Sequence, residues 1–308
     1  MINSFTFQNN KLTLRNICNP NIFPIDSASV VLGGPYSGKT TLLREIANIT
    51  LGRPVHGSQL EIQPSAPYFS GTGVIYYNES RYDVKPEDHP DLIDISASMT
   101  IETESLSRYK ESFEAFGIEL NDKNISYSGT QLKLIALFGA LDKSVQMLSG
   151  NRSILIILDN ADDGLHPKDQ RYFVYVLTQF LADCKKRYGT ACIQLILSSN
   201  SPLVVSDFPS EYACFLEEKY WIPQDDRDSD GDGDGDGDGD GDGDAQYFGG
   251  NINKIYNLAM DVQTLPEFAT RTINATIENI EADERTDTDN YVISIIGDPI
   301  IKRSVESM

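Results

Sequence analysis

One stretch of the chain decides its fold: Gly33-Gly34-Pro35-Tyr36-Ser37-Gly38-Lys39-Thr40, which fits the pattern G-x-x-x-x-G-K-[ST] in full. It follows the apolar run 28–32 and precedes residues 41–49, whose apolar positions have helical spacing. A strand aims such a loop, its glycines let backbone N–H groups surround phosphates, and the helix N-terminus faces the anion. The sequence therefore predicts a phosphate-binding P-loop between a strand and a helix.

Each position of this P-loop has an expected task. The backbone of residues 33–38 would cradle the phosphates, Lys39 would reach the β and γ phosphates, and Thr40 would hold Mg²⁺. Thr41 follows in the first helical turn and is expected at the same phosphates. A nucleotide with Mg²⁺ is the expected ligand. The alternative is an ordinary glycine-rich turn, which the position between a strand and a helix disfavours.

Composition limits the class of protein. The chain has 308 residues, of which 40% are hydrophobic, so it can bury one large core or two modest ones. No apolar stretch is long enough to span a bilayer, and residues 1–4 do not resemble a signal peptide, so a cytoplasmic protein is expected. The four cysteines form no C-x-x-C pair and are expected to be reduced packing residues.

Half of the formal charge of −21 lies in one tract. Residues 225–244 contain eleven Asp and one Arg, in a Gly-Asp repeat that has nothing apolar to bury. The tract is predicted to be a flexible, self-repelling linker between a head, 1–224, and a helical C-terminal segment, 245–308. Calcium binding is the alternative, although position twelve of an EF-hand register is Gly239 rather than Glu. Because the whole chain is acidic, direct binding of nucleic acid is disfavoured.

The apolar periodicities predict an α/β fold with a mainly parallel sheet and an N-terminal antiparallel β element. Residues 5–8 and 11–15 alternate around Asn9-Asn10 and predict a hairpin. The other predicted strands are 74–77, 154–158 and 191–197. The predicted helices are 103–116, 131–140, 167–187, 265–280 and 291–305.

A second motif follows the apolar run 154–158, which ends in Asp159 as a Walker B strand requires. A carboxylate at the carboxyl end of that strand can support the Mg²⁺ that Thr40 would hold. The pattern gains weight from its continuation, Asn160-Ala161-Asp162-Asp163-Gly164-Leu165-His166-Pro167, and then Gln170-Arg171.

Residues 158–171 resemble the D-E-P-E-x-G-L-H-P segment of ABC/SMC-like ATPases of the AAA_15/AAA_21 type. Those include ATPases of bacterial anti-phage systems such as Septu and certain retrons, and the overcoming-lysogenization-defect proteins. Residues 127–131, Tyr-Ser-Gly-Thr-Gln, resemble the ABC signature turn, and residues 198–202 resemble the T-T-H-S-P turn after the next strand. In the C-terminal segment, residues 248–252 and 295–301 are similar to the F-G-x-N-I and I-G-x-P-L-I segments of the Septu-like group.

This resemblance implies a P-loop NTPase fold of the ABC type and a composite site. Two such heads close face to face, and each ATP lies between the P-loop of one and the signature turn of the other. Ser128 and Gly129 are the implied signature residues, with Ser126 as the alternative serine. Ser128 also fits a plain helix cap. The implied partners are a second head and an effector such as a nuclease; an ABC transporter subunit is the alternative on motif order.

Two positions depart from the resembling family. Asn160 stands where the family has a catalytic Glu, and Asn200 stands where it has a switch His. An amide orients water but cannot accept its proton, and loss of a general base commonly lowers a rate by about 10²–10⁴-fold. Asp162 and Asp163 are weaker substitutes for the base. The candidate catalytic residues are Lys39, Asp159, Asn160 and Asn200.

Slow or absent hydrolysis is therefore expected, and two hypotheses stay open. The chain is either an ATPase that drives or times an effector, or a non-hydrolysing scaffold gated by ATP. Between residues 64 and 100 no convincing Q-loop glutamine is found, and Arg81 is either a nucleotide contact or a surface residue.

Overall fold

The computed structural model describes residues 2, 4–7, 10–13, 23–33, 37–53, 60–63, 69–79, 86, 89–96, 107–119, 127–209, 212–216, 248–249, 252, 267–282, 284–296 and 299–307. The chain divides into two compact units, Met1–Asp261 and Val262–Met308. Gly34-Pro35-Tyr36, Arg81, Ser126, Cys18 and the Asp-Gly tract 225–244 lie outside the described residues.

The described residues form nine strands, namely β1 (Ser4–Phe7), β2 (Asn10–Thr13), β3 (Ser27–Leu32), β4 (Leu60–Gln63), β5 (Thr72–Asn78), β6 (Leu92–Asp94), β7 (Ser153–Asp159), β8 (Ile193–Ser198) and β9 (Ala213–Phe215). Six of them form one sheet in the order β6-β5-β7-β8-β3-β9, with every neighbouring pair parallel.

The described helices of the first unit are α1 (Lys39–Thr50), α2 (Lys110–Glu114), α3 (Gly129–Met147), α4 (Pro167–Tyr188) and α5 (Pro202–Val205). Those of the second unit are α6 (Glu267–Glu281), α7 (Asp287–Ile295) and α8 (Pro299–Glu306).

The two faces of the parallel sheet bury alternate side chains of each strand. In β7, Ile154, Ile156 and Leu158 join one core, whereas Leu155 and Ile157 join the other. Such alternation is what the pleat dictates for a strand that is buried on both sides. We call these sides the α4 face and the α1 face, after the long helix that packs on each.

Helices cover both faces. On the α1 face, α1 contributes Leu42, Leu43, Ile46 and Ala47 to the core. On the α4 face lie α2, α3, α4 and α5. The rings of Phe138 and Phe180 meet edge to face at a centroid distance of 4.8 Å, and those of Phe113 and Phe138 do so at 5.3 Å. The result is a three-layer sandwich in which the P-loop helix α1 and the helix α3, which Ser128 caps, lie on opposite faces of the sheet.

The N-terminal strands form a separate antiparallel sheet in the order β2-β1-β4. The predicted hairpin is confirmed, but the turn predicted at Asn9-Asn10 is one residue off, because Asn10 already pairs with Phe7. The side-chain amide of Gln194 in β8 accepts from the N–H of Ile2 at 2.9 Å and donates to its carbonyl at 3.1 Å. That amide joins the N-terminus to the parallel sheet.

The helix predicted over 291–305 is wrong, since the structure has two helices there. Thr286 and Asp289 form a capping box that starts α7, and α8 begins at Pro299. Proline lacks an N–H, disfavours helical backbone in the residue before it, and suits the first helical position, so it separates two helices. The helix predicted over 103–116 is shorter: within the described residues the chain is helical only from a 3₁₀ turn at Ser107–Tyr109 to Glu114.

The predicted fold class is confirmed. The chain is α/β, with a mainly parallel sheet core, an antiparallel β element at the N-terminus and helices in the C-terminal segment. Of the helices that the structure describes, none combines the length and the apolar character needed to cross a membrane.

Candidate nucleotide-binding site

The described part of the P-loop needs glycine at two positions. Gly33 follows β3 with φ +149, and a Cβ there would lie 2.5 Å from Ser37 Oγ and 2.7 Å from the carbonyl oxygen of Leu216. Gly38 caps the N-terminus of α1 in the left-handed region, with φ 91. Both positions therefore exclude side chains, one by crowding and both by backbone conformation.

Lys39 is the first residue of α1 and turns back over the loop. Its side chain is buried, at 8% exposure, and its ammonium group donates to the carbonyl of Gly33 at 2.5 Å. Thr40 and Thr41 are half-buried in the first helical turn. Ser37 Oγ is buried and has no hydrogen-bond partner among the described residues. Lys39 thus reaches back to the first residue of the loop, whose phosphates it is predicted to bind.

Asp159 ends β7 and is fully buried. Its Oδ1 accepts from Ser198 Oγ at 2.5 Å, and its Oδ2 is buried with no hydrogen-bond partner within the described ranges. A buried carboxylate oxygen without a hydrogen-bond donor is costly to the fold unless a cation or a water binds it. This oxygen fits a ligand position for Mg²⁺, as the Walker B assignment predicts.

Strand β8 lies between the P-loop strand β3 and the Walker B strand β7. The turn after β8 therefore lies at the carboxyl edge of the sheet, between Lys39 and Asp159. Asn200 in this turn donates through Nδ2 to Asn160 Oδ1 at 3.4 Å. The structure thus brings Asn160 and Asn200 together beside the Walker B carboxylate.

Asn160 has a backbone conformation that few residue types adopt. It is the one non-glycine residue in the described part of the chain with positive φ, at 52. Its N–H donates to Ser198, with the carbonyl oxygen at 3.2 Å and Oγ at 3.0 Å. Asparagine tolerates the left-handed region better than most side chains, and such strain clusters at functional sites.

Three residues beside Asp159 belong to no sequence motif. Asn78 ends β5 directly opposite Asp159 in the parallel register, and the N–H of Glu79 donates to the Asp159 carbonyl at 3.2 Å. Lys133 of α3 pairs with Glu79 at 2.8 Å and also donates to the carbonyl of Asp163. One signal was present: the apolar run 74–77 ends in polar residues, as the run 154–158 does.

The loop after Asp159 borders a cavity of about 250 Å³. Its polar walls come from Asn160, Asn200, Asp162 and the first turn of α4. Asp162 is 2% exposed; its Oδ2 accepts from Ser199 Oγ at 2.7 Å, and its Oδ1 has no partner among the described residues. Burial raises the pKa of Asp162 to about 6, opposed by the Ser199 hydrogen bond.

The predicted signature turn starts α3. Ser128 caps this helix in a reciprocal arrangement with Gln131, accepting from its N–H at 3.3 Å and donating its own N–H to Oε1 at 2.9 Å. Both Ser128 and Gly129 are exposed, and a Cβ on Gly129 would meet nothing within 4 Å. The capping role is therefore observed, and the space around Gly129 is open to another molecule.

The donor set suits a nucleotide-bound Mg²⁺ better than a metal held by protein alone. Among the described residues no group of three or more His, Cys, Asp or Glu side chains could hold a metal. Mg²⁺ is commonly held by one or two protein oxygens together with phosphates and water. The hydroxyl of Thr40 and Oδ2 of Asp159 match that pattern.

Comparisons with known proteins yield likenesses in structure alone. No protein-family model matches the chain, and no curated protein matches it. CbiO1 of Clostridium perfringens, part of the ABC transporter complex CbiONQ, is 16% identical with a TM-score of 0.30, over 65% of this chain and 74% of that one. The ADP conformation of MJ1267, an ATP-binding cassette of an ABC transporter, is 13% identical with a TM-score of 0.31, over 70% and 87%. No residue role is carried over from either.

Proposed function

We propose that this chain is an ATP-binding head of the ABC type that pairs with a second copy of itself around ATP. One observation carries the proposal: the Lys39 ammonium donates to the carbonyl of Gly33 at the start of the P-loop, and the same sheet edge carries the buried Asp159, whose Oδ2 has no partner among the described residues. A loop of this kind at a helix N-terminus favours phosphate.

Thr40 and Asp159 are the residues that would hold Mg²⁺. When bound with ATP, the ion neutralises charge on the phosphates and polarises them. Lys39 supplies a second positive charge, and the N–H groups at the start of α1 supply donors. The chain's own part is to bind and orient the triphosphate.

The layering of the fold supports a site shared between two copies. The P-loop helix α1 packs on one face of the sheet, while α3, which Ser128 caps, packs on the other. The exposed N-terminus of α3 has no acidic residue in its first turn, so it is suited to a phosphate brought by a neighbour. A second copy would present its own α3 to the ATP of the first.

Hydrolysis is expected to be slow. Asn160 and Asn200 are hydrogen-bonded to each other, and their remaining amide groups can orient a water or sense the γ phosphate, but neither amide accepts a proton. The second candidate function, a scaffold that uses ATP occupancy without turnover, is favoured by this same pair of amides. Intact Lys39, Thr40 and Asp159 favour turnover.

The resemblance to anti-phage ATPases suggests what the pairing would control. We expect the head to act in the cytoplasm on a protein effector, such as a nuclease, rather than on DNA or RNA directly. The chain's acidity supports that preference, because contacts to nucleic-acid phosphates need Lys and Arg.

Sedimentation of the full chain tests the pairing. We expect ATP with Mg²⁺ to convert monomers into dimers. Gly129→Glu places a charge in the open space at the start of α3, so this variant should bind ATP and stay monomeric. Gly150→Glu is the matched control, since a Cβ there also meets nothing within 4 Å, and it should pair like the wild type. Dimers of Gly129→Glu at wild-type strength would contradict the proposal.

A further inference from the structure

Asp162 is a buried carboxylate that the proposed nucleotide site does not use. It is 2% exposed and lines the cavity that also contains Asn160 and Asn200. One carboxylate oxygen accepts from Ser199, while Oδ1 has no hydrogen-bond partner in the described part of the chain. A buried acceptor without a hydrogen-bond partner is costly to the fold, so a function for it is worth seeking.

The neighbouring Asp163 also lines the cavity but is not buried. It is exposed, and its Oδ1 accepts from the N–H of Gly164 at 3.0 Å. Its backbone carbonyl accepts from Lys133. Both acids of this loop line the cavity, but only Asp162 combines burial with a carboxylate oxygen that has no hydrogen-bond partner among the described residues.

The two amides, Asn160 and Asn200, leave the site without a group that accepts a proton. Hydrolysis requires a group that takes a proton from the attacking water, and neither Asn160 nor Asn200 can do so. The cavity has room for several water molecules, and Asn160, Asn200, Gln170 and Ser201 offer them hydrogen-bond partners. Water there would lie beside the two amides and Asp162, all of which line the same cavity.

We propose that Asp162 accepts, through water in this cavity, the proton that the attacking water releases when ATP is hydrolysed. The inference rests on the proposed function, because it needs ATP in the P-loop. In this step the water oxygen bonds to the γ-phosphorus, and the bond from that phosphorus to the β–γ bridging oxygen breaks. ADP leaves with that electron pair, and a water proton passes to the Asp162 carboxylate.

The charged groups around Asp162 suit a proton acceptor that is ionised at neutral pH. Lys133, from α3, favours the carboxylate, and Asp163 opposes it. The hydroxyl of Ser199 and the backbone N–H of Asp162 itself also favour the ionised form. Since the pKa of Asp162 is raised to about 6, chiefly by burial, the group is a stronger base than an exposed aspartate and still ionised above that pH.

Phosphate release by the full chain, measured from about pH 5 to 9, tests the proposal. For the wild type we expect kcat to fall about tenfold per pH unit below about pH 6. Asp162→Asn keeps the shape of the side chain and should lower kcat about 100-fold or more, without the acid limb. Asp162→Glu restores a carboxylate and should recover part of kcat together with the limb.

Asp207 provides a matched control. Burial raises its pKa to about 6 as well, and its Oδ2 is buried with no partner within the described residues, yet it is not among the residues that line the cavity. Asp207→Asn should therefore leave kcat and its pH profile unchanged. An equal loss of kcat in both variants would show that any buried carboxylate matters for turnover, and would contradict a specific role of Asp162 in proton transfer.

ATP binding, measured on the same proteins, separates this inference from the proposed function. If Asp162→Asn kept the wild-type kcat and the same fall of kcat below about pH 6, the proposed role of Asp162 would be overturned. Wild-type protein that binds ATP and releases no phosphate would also overturn it, while leaving the ATP-gated head in place. Should Asp162→Asn fail to fold, the wild-type pH profile decides, since a kcat that is flat between about pH 5 and 7 contradicts the proposal.

Discussion

At the scale of single residues, Asn160 combines an unusual backbone with a place beside Asp159. Its φ of 52 lies in the left-handed region, which costs an ordinary residue roughly 1–2 kcal/mol. Asn160→Ala should therefore lower the free energy of unfolding by about 1 kcal/mol, and Asn160→Gly by less. Urea unfolding of the two variants checks this. Equal losses would indicate that the lost amide, rather than the backbone, matters for stability.

The burial of Asp162 predicts how the free energy of unfolding depends on pH, whether or not Asp162 takes part in turnover. Its pKa rises on folding from the usual 3.8 to about 6, so ionisation penalises the folded state. The penalty is absent below about pH 4, grows as the pH rises to about 6 and is constant above it. A shift of about two pH units corresponds to roughly 3 kcal/mol.

Asp162→Asn should accordingly raise the free energy of unfolding at pH 8, by up to about 3 kcal/mol, and change it little at pH 4. Chemical denaturation at the two pH values measures both. Asp207→Asn should behave alike, because burial raises the pKa of Asp207 to the same value. A gain that is equal at pH 4 and pH 8 would show that the carboxylate is not penalised by burial.

The sequence predicted the site residues that belong to contiguous motifs. Lys39 and Asp159 were predicted because each follows an apolar strand within its motif. Asn160 and Asn200 were predicted from the resemblance to a known family. Asn78, Glu79 and Lys133 were missed because their closeness to Asp159 comes from the register of β5 against β7 and from the packing of α3. No spacing along the chain encodes that register.

At the scale of elements, one buried carboxylate ties together the helices of the α4 face. Asp142 of α3 accepts from Tyr109 Oη at 2.6 Å and from Tyr188 Oη of α4 at 2.8 Å. Tyr109→Phe removes a hydrogen bond to a buried acid and should lower the free energy of unfolding by about 2 kcal/mol. Tyr175→Phe, exposed on α4, is the control and should stay within about 0.5 kcal/mol. Thermal unfolding of both variants tests this. An equal loss of stability in the two would contradict a stabilising hydrogen bond between Tyr109 and Asp142.

Apolar periodicity correctly predicted the strands and helices that are buried along most of their length. It misplaced those whose ends are set by a proline or a turn. Strands β7 and β8 and helix α4 lie where their apolar patterns indicate, since each is buried along most of its length. The residues from 291 to 305 have a helical apolar pattern, yet Pro299 starts a new helix. Asn10, predicted in the hairpin turn, belongs to β2, where it pairs with Phe7.

At the scale of the whole molecule, the strand order decides what the motifs do together. The sequence gives no indication that β8 separates β3 from β7, although this order places Asn200 between the P-loop and Asp159. The placement of α1 and α3 on opposite faces likewise follows from the topology alone. Together they place the P-loop helix on one face of the sheet and the helix that Ser128 caps on the other, as the proposed paired head requires.

Titration calorimetry of ATP into the full chain, with and without Mg²⁺, measures whether the P-loop binds nucleotide. We predict one ATP per chain, tighter binding with Mg²⁺, and affinity reduced at least about tenfold in Lys39→Ala, because a charged contact to phosphate is lost. Lys186→Ala, exposed on α4, is the matched control and should bind like the wild type. Wild-type protein that binds no ATP, or a Lys39→Ala variant that binds it unchanged, would contradict the account.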